Sequence, residues 1–384
     1  MNNRLAKLFG IFLLAAVLFA AIGYKVHKGY SATNAAIQLS NAPVLASNSK
    51  RGQLYLNGTW QFSPANAASQ QQPPQTGWGS ILVPGNWQQE YNDFVPGVVK
   101  RGTGTAWDNF DASQLAKAWY QRTLKIPPEW QGRSILLDIG RVSTDAVVYV
   151  NGTKCAEINW PYGAADITQL VKPGEEATLS VLVVAVADEK EKTVIMGPNE
   201  MYKTEAKLAS RGLVGEVRLV SLPKGPHVSD VFVKPSTRNQ QIELDVELEG
   251  VRQNGSVELI AKMLDERGNV EREFTTTAKV RASTSQVLKA VWDWPNPRLW
   301  DFGQPNLYTL QLFVRGSGID DEYNQPFGFR EFWIEGRKFY LNGTEIRLRP
   351  TSFDETWQSW VVGVPDVIDR LIDGYVWAGF NIAE

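Results

Sequence analysis

Alternation of hydrophobic and polar positions is the dominant pattern of this chain from about residue 52 onward. In residues 242–249 every apolar residue is followed by an acidic one, a period of two that is typical of a strand with one face in water. Runs rich in Val, Ile and Leu at residues 134–139, 145–150 and 177–187 predict further short strands. The chain is therefore expected to be mainly β.

A second group of strands follows Pro226 and includes residues 257–264 and 307–315. Roughly a hundred residues of short strands without a helical period favour a small immunoglobulin-like sandwich over residues 226–330. Residues 292–300, just before the last strand, contain a cluster of tryptophans and prolines. We interpret this cluster as a structural strap across the edge of the sandwich rather than as a platform for sugars.

The hydrophobic period changes to that of a helix near the C-terminus. Pro365 precedes the periodic segment and Gly379 follows it, as is usual at helix ends. Strands are expected on both sides, at residues 345–348 and 380–382, and a strand–helix–strand unit opens a parallel α/β domain. Since one such unit cannot close a domain and the chain ends at Glu384, we interpret the chain as a fragment or the product of a truncated gene. The helical positions are Ile368, Leu371, Ile372, Tyr375 and Val376.

Asn-Gly pairs recur along the chain. Because this dipeptide adopts the positive φ values of a type I′ turn, tight hairpins are predicted at residues 57–58, 151–152 and 342–343. These three pairs, together with residues 254–255, also match the N-glycosylation sequon. We favour turn chemistry over glycosylation, since all four matches fall on Asn-Gly.

The N-terminal segment, residues 1–30, has the pattern of an export signal. Basic residues precede an apolar run at residues 8–22, which is shorter than the ~20 residues of a membrane span and fits a signal peptide. An uncleaved membrane anchor through residues 8–24 is the alternative. Both place the remainder outside the cytoplasm, whether periplasmic, extracellular or membrane-anchored. Residues 31–50, rich in Ala, Asn and Ser, are interpreted as a flexible spacer.

Composition and charge exclude several classes of function. The 384 residues carry a formal net charge of −2, which does not indicate binding to nucleic acid. The single cysteine, Cys155, rules out an intramolecular disulfide and a cysteine metal cluster. His27 and His227 lie far apart in linker-like segments, so a histidine relay or zinc site is not expected. Carboxylates must therefore carry any chemistry.

A series of short motifs, in order along the chain from about residue 52, resembles the family 2 glycoside hydrolases. The resemblance is carried by residues 54–62 (LYLNGTWQF), 81–88 (ILVPGNWQ), 118–122 (AWYQR), 140–152, 211–219 (RGLVGEVRL), 228–233 (VSDVFV), 297–300 (PRLW), 305–309 (PNLYT), 327–330 (FGFR), 339–343 (FYLNG) and 347–356.

The resemblance implies a jelly-roll sugar-binding domain at residues 51–225, an immunoglobulin-like β-sandwich at residues 226–330, and the first β-α-β unit of an incomplete (β/α)8 (TIM) barrel at residues 331–384. It also implies retaining hydrolysis by two glutamates, which lie ~5–5.5 Å apart in such enzymes. Both are expected beyond Glu384, because a barrel needs ~250 residues and places its chemistry at the ends of later strands.

The loop after the first expected barrel strand holds the candidates for substrate binding, Asp354, Glu355, Trp357 and Trp360. The carboxylates would contact a sugar or belong to a solvated loop, and the tryptophans would stack on a sugar ring or pack under the loop. At Asp354 the sequence departs from the family pattern, in which a His is common.

The resemblance also has implications for Glu205 and for the loop at residues 210–215. Glu205 is nearest to an acid that binds a metal in some family members, but the aromatic residue expected beside it is missing. We therefore predict no metal and no cofactor. The loop at residues 210–215 is expected to reach the barrel mouth, or its glycines serve only a turn.

Two functions remain open at this stage. The preferred one is the N-terminal part of an exported retaining exo-β-glycosidase, with a carbohydrate substrate and without its catalytic glutamates. The rival is a non-catalytic surface protein whose two sandwiches bind glycans or partners. Continuation of the reading frame past Glu384 would separate them.

Overall fold

A computed structural model describes residues 44–48, 50–65, 72–85, 87, 115–185, 192–197, 200–204, 211–352 and 367–383 of the chain. Strands predominate throughout these ranges, which confirms the prediction of a mainly β fold. Two β-sandwiches follow one another, and a smaller segment with a hairpin sheet and a helix comes after them.

The first sandwich is built from two antiparallel sheets. Its described strands are β1 (Val44–Ser47), β2 (Gly52–Tyr55), β3 (Gly58–Pro64), β4 (Gly79–Val83), β5 (Lys117–Lys125), β6 (Ser134–Ile139), β7 (Val142–Ser143), β8 (Asp145–Val150), β9 (Thr153–Ile158), β10 (Gly163–Asp166), β11 (Glu176–Val184), β12 (Lys192–Gly197), β13 (Glu200–Thr204), β14 (Gly212–Leu213) and β15 (Val217–Leu222). The sheets have the strand orders β1-β2-β15-β6-β10 and β4-β3-β5-β11-β8-β9, and β12–β13 and β14–β7 form two short pairs.

The core of this sandwich lies between the two sheets and is formed by the inward-facing residues of each strand. In β6, Ile135, Leu137 and Ile139 are buried while the residues between them are partly exposed, as a period of two requires. Large rings fill the space: Trp60 and Trp130 are at most 1% exposed. Burying apolar surface of this size is the main stabilising contribution to such a fold.

The predicted spacer ends in ordered structure. Strand β1 pairs antiparallel with β2, Val44 opposite Tyr55 and Ser47 opposite Gly52. The prediction of a flexible spacer is therefore wrong for the last residues of 31–50. A strand of this kind is held by backbone hydrogen bonds, which a composition rich in Ala, Asn and Ser does not reveal.

The second sandwich has seven main strands in two sheets. Its described strands are β16 (His227–Ser236), β17 (Gln241–Val251), β18 (Gly255–Leu264), β19 (Val270–Val280), β20 (Ser283–Asp293), β21 (Trp300–Asp301), β22 (Gln304–Pro305), β23 (Tyr308–Gly316) and β24 (Ile319–Phe327). Strands β16-β17-β20 form one sheet and β19-β18-β23-β24 the other, an arrangement of immunoglobulin type. Ile242, Leu244, Val246 and Leu248 of β17 are fully buried, so the alternation in the sequence correctly predicted their face.

The aromatic residues before the last strands belong to the core of the second sandwich. Trp294 is completely buried and meets Tyr308 and Phe329 edge to face, with ring centroids 4.9 and 5.3 Å away. Trp292 stacks on Phe274 with the ring centroids 5.3 Å apart. These rings therefore have a packing role, as expected, but Trp292 and Trp294 serve it within the core rather than as a strap across the edge.

A buried ion pair joins the two sandwiches. Arg51, just before β2, binds the Asp321 carboxylate of β24, whose side chain is 0% exposed. The same carboxylate accepts a hydrogen bond from the backbone N–H of Val228 at 2.9 Å. The Arg51 guanidinium also lies 5.1 Å from the centre of the Tyr323 ring. These contacts fix the end of one sandwich against the start of the other.

The C-terminal segment contains β25 (Phe332–Glu335), β26 (Lys338–Leu341), β27 (Thr344–Ile346), β28 (Pro350–Thr351), α1 (Val367–Trp377) and β29 (Ile382–Ala383). Strands β28 and β29 pair in parallel on either side of the predicted helix. A strand does occur within the expected residues 345–348, as part of β27, but it pairs antiparallel with β26. The expectation that it opens the parallel unit is wrong, because the parallel strand is β28, which begins at Pro350. The structure thus shows a strand–helix–strand unit and no barrel within the described residues.

Two of the three predicted Asn-Gly hairpins occur. Residues 151–152 and 342–343 have positive φ at both positions and join β8 to β9 and β26 to β27. At residues 57–58 the prediction is wrong, because β2 and β3 belong to different sheets. Asn57 instead donates to the Glu216 carboxylate at 3.2 Å and accepts from the Val217 N–H at 3.3 Å. Asn254 similarly accepts from the backbone of Ala282 at 2.9 Å.

Within the described ranges, no helix is long and apolar enough to cross a membrane. The apolar run at residues 8–22 lies outside those ranges.

Candidate functional site

The four substrate-binding candidates from the sequence, Asp354, Glu355, Trp357 and Trp360, lie outside the residues that the structure describes. The last described residue before them is Ser352, which directly follows β28. Asn381, before β29, donates to the Arg347 carbonyl at 2.9 Å and accepts from the Arg349 N–H at 2.7 Å. The strand that precedes these candidates, β28, is therefore held next to β29, the strand that follows the helix.

The glycine-rich segment Arg211–Gly215 is held in the first sandwich by backbone hydrogen bonds. Strand β14 within it pairs with β7, and the Leu213 and Arg211 carbonyls accept from the N–H groups of Gly85 and Trp87, both at 2.9 Å. Gly212 has φ +127°, and a Cβ there would lie 2.6 Å from the Tyr120 hydroxyl. The glycine is needed because the backbone runs this close to a buried ring.

A polar cluster lies behind the glycine-rich segment. Trp87 donates its indole N–H to the Tyr120 hydroxyl at 2.6 Å, and the backbone N–H of Leu213 lies 3.4 Å from the same oxygen. Burial raises the pKa of Tyr120 despite both hydrogen bonds, since desolvation disfavours the phenolate. The hydroxyl therefore stays neutral and serves as an acceptor that positions the segment.

Three loops meet beside this segment at one end of the first sandwich. The Arg141 carbonyl accepts from the N–H groups of Val214 and Gly215 at 3.1 and 3.0 Å, and the Val142 N–H donates to the Pro161 carbonyl at 2.8 Å. The loop between β9 and β10 is thereby fastened to the glycine-rich segment through β7. It presents Trp160 and Tyr162, whose side chains are 57% and 70% exposed.

Sequence reasoning missed these two rings. Their signal is the run Trp-Pro-Tyr between two predicted strands, because an aromatic residue in a proline-containing loop lacks the period that directs it into the core.

A cleft of about 490 Å³ lies where the second sandwich meets the hairpin sheet β25–β27. Trp333 forms part of its wall, with the Arg238 guanidinium 4.6 Å from one ring and the Tyr340 ring stacked at 5.5 Å. Trp333 therefore already has two partners and is not a free stacking surface. The other lining residues are Thr237, Gln240, Asn296, Pro297, Leu299, Asn342 and Gly343.

Glu331 is the hydrogen-bonding centre beside this cleft. Its carboxylate accepts from the Ser236 and Thr237 hydroxyls at 3.1 and 3.2 Å, from the Arg238 backbone at 3.0 Å and from Arg238 Nε at 2.7 Å. Burial raises the pKa of Glu331, but these hydrogen bonds outweigh burial and the pKa falls to about 2. A carboxylate so strongly held in the ionised form is a structural anchor rather than a general acid.

Among the described residues, no group of three or more His, Cys, Asp or Glu is placed to hold a metal ion. Glu205 lies outside the described residues. The Cys155 thiol donates to the Val148 carbonyl at 3.4 Å, and burial raises its pKa, so the thiolate needed for reactivity is disfavoured.

Two family models match the chain consecutively. The model described as glycosyl hydrolases family 2, sugar binding domain, matches residues 54–226. The model described as glycosyl hydrolases family 2 matches residues 226–330.

Similar curated proteins include two β-glucuronidases and a β-galactosidase. A putative β-glucuronidase of Formosa agariphila is 27% identical over 286 residues, which cover 71% of this chain and 31% of that protein. A β-glucuronidase of Paenibacillus borealis is 25% identical over 75% of this chain and 47% of its own length. A β-galactosidase of Thermoanaerobacterium thermosulfurigenes is 29% identical over 61% of this chain and 32% of its own length. The chain thus spans between 31% and 47% of these relatives.

Solved structures show the same fold. The β-glucuronidase of Ruminococcus gnavus in complex with D-glucuronic acid superposes with a TM-score of 0.63 at 20% identity, covering 88% of this chain and 57% of that one. The β-glucuronidase of Bifidobacterium dentium complexed with coumarin-3-O-glucuronide gives a TM-score of 0.64 at 20% identity, with the same coverage of 88% and 57%. Together with the two family models, these likenesses show that the chain belongs to glycosyl hydrolases family 2 and corresponds to the N-terminal part of its members.

Proposed function

We propose that this chain is the N-terminal part of an exported, retaining exo-β-glycosidase that hydrolyses O-glycosidic bonds in carbohydrate breakdown. The observation that carries the proposal is the consecutive match of two family 2 models over residues 54–226 and 226–330. The similarity to β-glucuronidases and β-galactosidases supports a glycoside as the substrate. Export rests on the apolar run at residues 8–22 and on the basic residues before it.

The second part of the proposal is that the 384-residue chain lacks both catalytic glutamates. Retaining hydrolysis needs one neutral carboxyl as proton donor and one ionised carboxylate as nucleophile, ~5–5.5 Å apart across the scissile bond. A proton donor needs a raised pKa, but the carboxyls whose pKa is displaced in the described residues all have it lowered. These are Glu157, Asp245, Asp265 and Glu331.

The test compares the 384-residue chain with the protein encoded by the source DNA to the end of its reading frame. Aryl β-glucuronide, β-galactoside, β-mannoside and β-glucoside are the substrates, and an empty-vector preparation is the control. We expect turnover of at least one substrate by the longer protein and none by the 384-residue chain. A stop codon directly after Glu384, or a longer protein that cleaves none of the four, would favour a non-catalytic glycan-binding protein instead.

Catalysis by the 384-residue chain itself would contradict the second part of the proposal. Such activity, if abolished by Asp354→Asn or Glu355→Gln, would place the reacting groups in the segment at residues 353–360.

A further inference from the structure

Trp160 and Tyr162 stand apart from the other large rings of the first sandwich. Among its described residues, they are the large apolar side chains that remain exposed, at 57% and 70%. At these fractions each ring offers on the order of 100 Å² of surface to the solvent. The rings that are buried instead are Trp60, Phe62, Trp87, Trp119, Tyr120, Trp130 and Tyr149.

The loop that carries the two rings is well anchored. It connects β9 to β10, the edge strands of the two sheets, and its Pro161 carbonyl accepts a hydrogen bond from Val142 in β7. A Cβ on Gly163 would lie 2.9 Å from a methyl group of Ile158, so the chain folds back tightly over a buried residue. Both rings are therefore presented by a fixed backbone, which lowers the entropy lost on binding.

Neither ring has a partner within the described part of the chain: no hydrogen bond, ion pair or ring contact involves the Trp160 or Tyr162 side chain. Residues two apart in sequence lie within about 7 Å of each other at Cα, so both rings can contact the same ligand. The indole N–H and the phenol hydroxyl remain available as hydrogen-bonding groups.

Saccharides match this combination of groups. The C–H groups on the flat faces of a pyranose ring pack against aromatic faces, and its hydroxyls need nearby donors and acceptors. The exposed Glu157, three residues before Trp160, is paired with Lys154. We propose that Trp160 and Tyr162 form a binding platform for the sugar rings of a polysaccharide chain. The choice of ligand class rests on the proposed function, and the position of the platform rests on exposure and geometry.

The proposal is tested by affinity gel electrophoresis of the 384-residue chain through soluble polysaccharide. A neutral β-1,4-galactan and an acidic glucuronoxylan are run as separate arms, which distinguishes an uncharged ligand from a uronic acid-bearing one. Retardation is expected in at least one arm. Trp160→Ala and Tyr162→Ala should each raise the Kd about tenfold, whereas Tyr162→Phe, which keeps the ring, should stay close to the parent chain.

Phe232→Ala is the matched control, because Phe232 is 63% exposed and lies on the second sandwich. This substitution should leave retardation unchanged, and circular dichroism should show all variants folded. Absence of retardation in both arms, or equal retardation of the parent chain and both alanine variants, would overturn the platform. A loss of binding in Phe232→Ala as large as in Trp160→Ala would overturn it as well.

The outcome is separable from that of the proposed function. Binding by the 384-residue chain requires no catalytic group, and hydrolysis of a small aryl glycoside requires no polysaccharide contact. Hydrolysis by the longer protein without retardation would remove only the platform, and retardation without hydrolysis would remove only the glycosidase.

Discussion

Replacement of Glu331 by Gln tests the junction between the second sandwich and the hairpin sheet. The carboxylate receives hydrogen bonds from Ser236, Thr237 and Arg238 in the turn between β16 and β17. On its own side, the Glu331 N–H donates to the Asn342 side chain at 3.0 Å. A neutral amide keeps the size of the side chain but loses the negative charge that all these donors share.

The magnitude follows from the pKa. A fall from 4.5 to about 2 corresponds to about 3 kcal/mol of preference for the ionised form in the folded state. The Glu331 side chain is 13% exposed, but that of Arg238 is 57% exposed, so water screens part of this attraction. We expect Glu331→Gln to lower the free energy of unfolding by about 2–3 kcal/mol at pH 7.

The sign of the pH dependence is fixed by the direction of the pKa shift. Because the folded-state pKa is lower than the unfolded one, the contribution of Glu331 is complete above pH 4.5 and disappears as the pH falls towards 2. Urea unfolding followed by circular dichroism should therefore show a gap between wild type and variant at pH 7 that closes at low pH. Glu335→Gln, at an exposed carboxylate of β25, is the control and should change stability by less than about 0.5 kcal/mol. A gap that stays constant with pH would refute the reasoning.

Three further outcomes are expected. Arg51→Met should lower the free energy of unfolding in urea by about 3–5 kcal/mol, because it leaves the buried Asp321 carboxylate without its cation. Lys50→Met, at the exposed pair with Asp320, should cost under about 1 kcal/mol. Equal effects of the two substitutions would contradict a structural role for the buried pair. Gly152→Val should lower the free energy of unfolding by about 1–3 kcal/mol, because φ is +79° at this position. No atom lies within 4 Å of the added Cβ, so the cost comes from backbone strain and not from a steric clash. A change near zero would show that the turn relaxes. In hydrogen exchange, residues 367–383 should exchange faster than β11, because Val376 and Trp377 are exposed and few contacts cover them; equal protection in a monomer would rule this out.

The sequence predicts strands and the helix well wherever a hydrophobic period continues over several residues. Leu244 and Val246 alternate with acids and are fully buried, and helix α1 occupies the segment between Pro365 and Gly379 that the 3.6-residue period marks. In both cases burial of one face determines the element, and the sequence records that face directly.

Very short strands and contacts between residues far apart in sequence were not predictable in this way. Strands β1 and β28 contain only four and two residues, too few to establish a period. The Asn57 side chain bonds to Glu216 and Val217, more than 150 positions away in sequence, so its local Asn-Gly signal was misleading. Long-range contacts of this kind leave no trace in a local pattern.

The functional residues show the same difference between what a local sequence pattern predicts and what depends on distant contacts. Family motifs correctly predict the family and the order of the two sandwiches, because each motif is a local sequence signal. The exposure of Trp160 and Tyr162 depends on where the β9–β10 loop lies against β7, and only the assembled sheets reveal it. The roles of Asp354, Glu355, Trp357 and Trp360 stay predictions.

The most direct measurement of the central claim is covalent labelling of the catalytic nucleophile. A 2-deoxy-2-fluoro glycoside with a good leaving group traps the glycosyl–enzyme intermediate of a retaining glycosidase. The protein expressed to the end of its reading frame should gain the mass of one sugar, and peptide mapping should place it on a glutamate beyond residue 384. The 384-residue chain should remain unlabelled under the same conditions. A label on Asp354, on Glu355 or on any other residue of this chain would contradict the account.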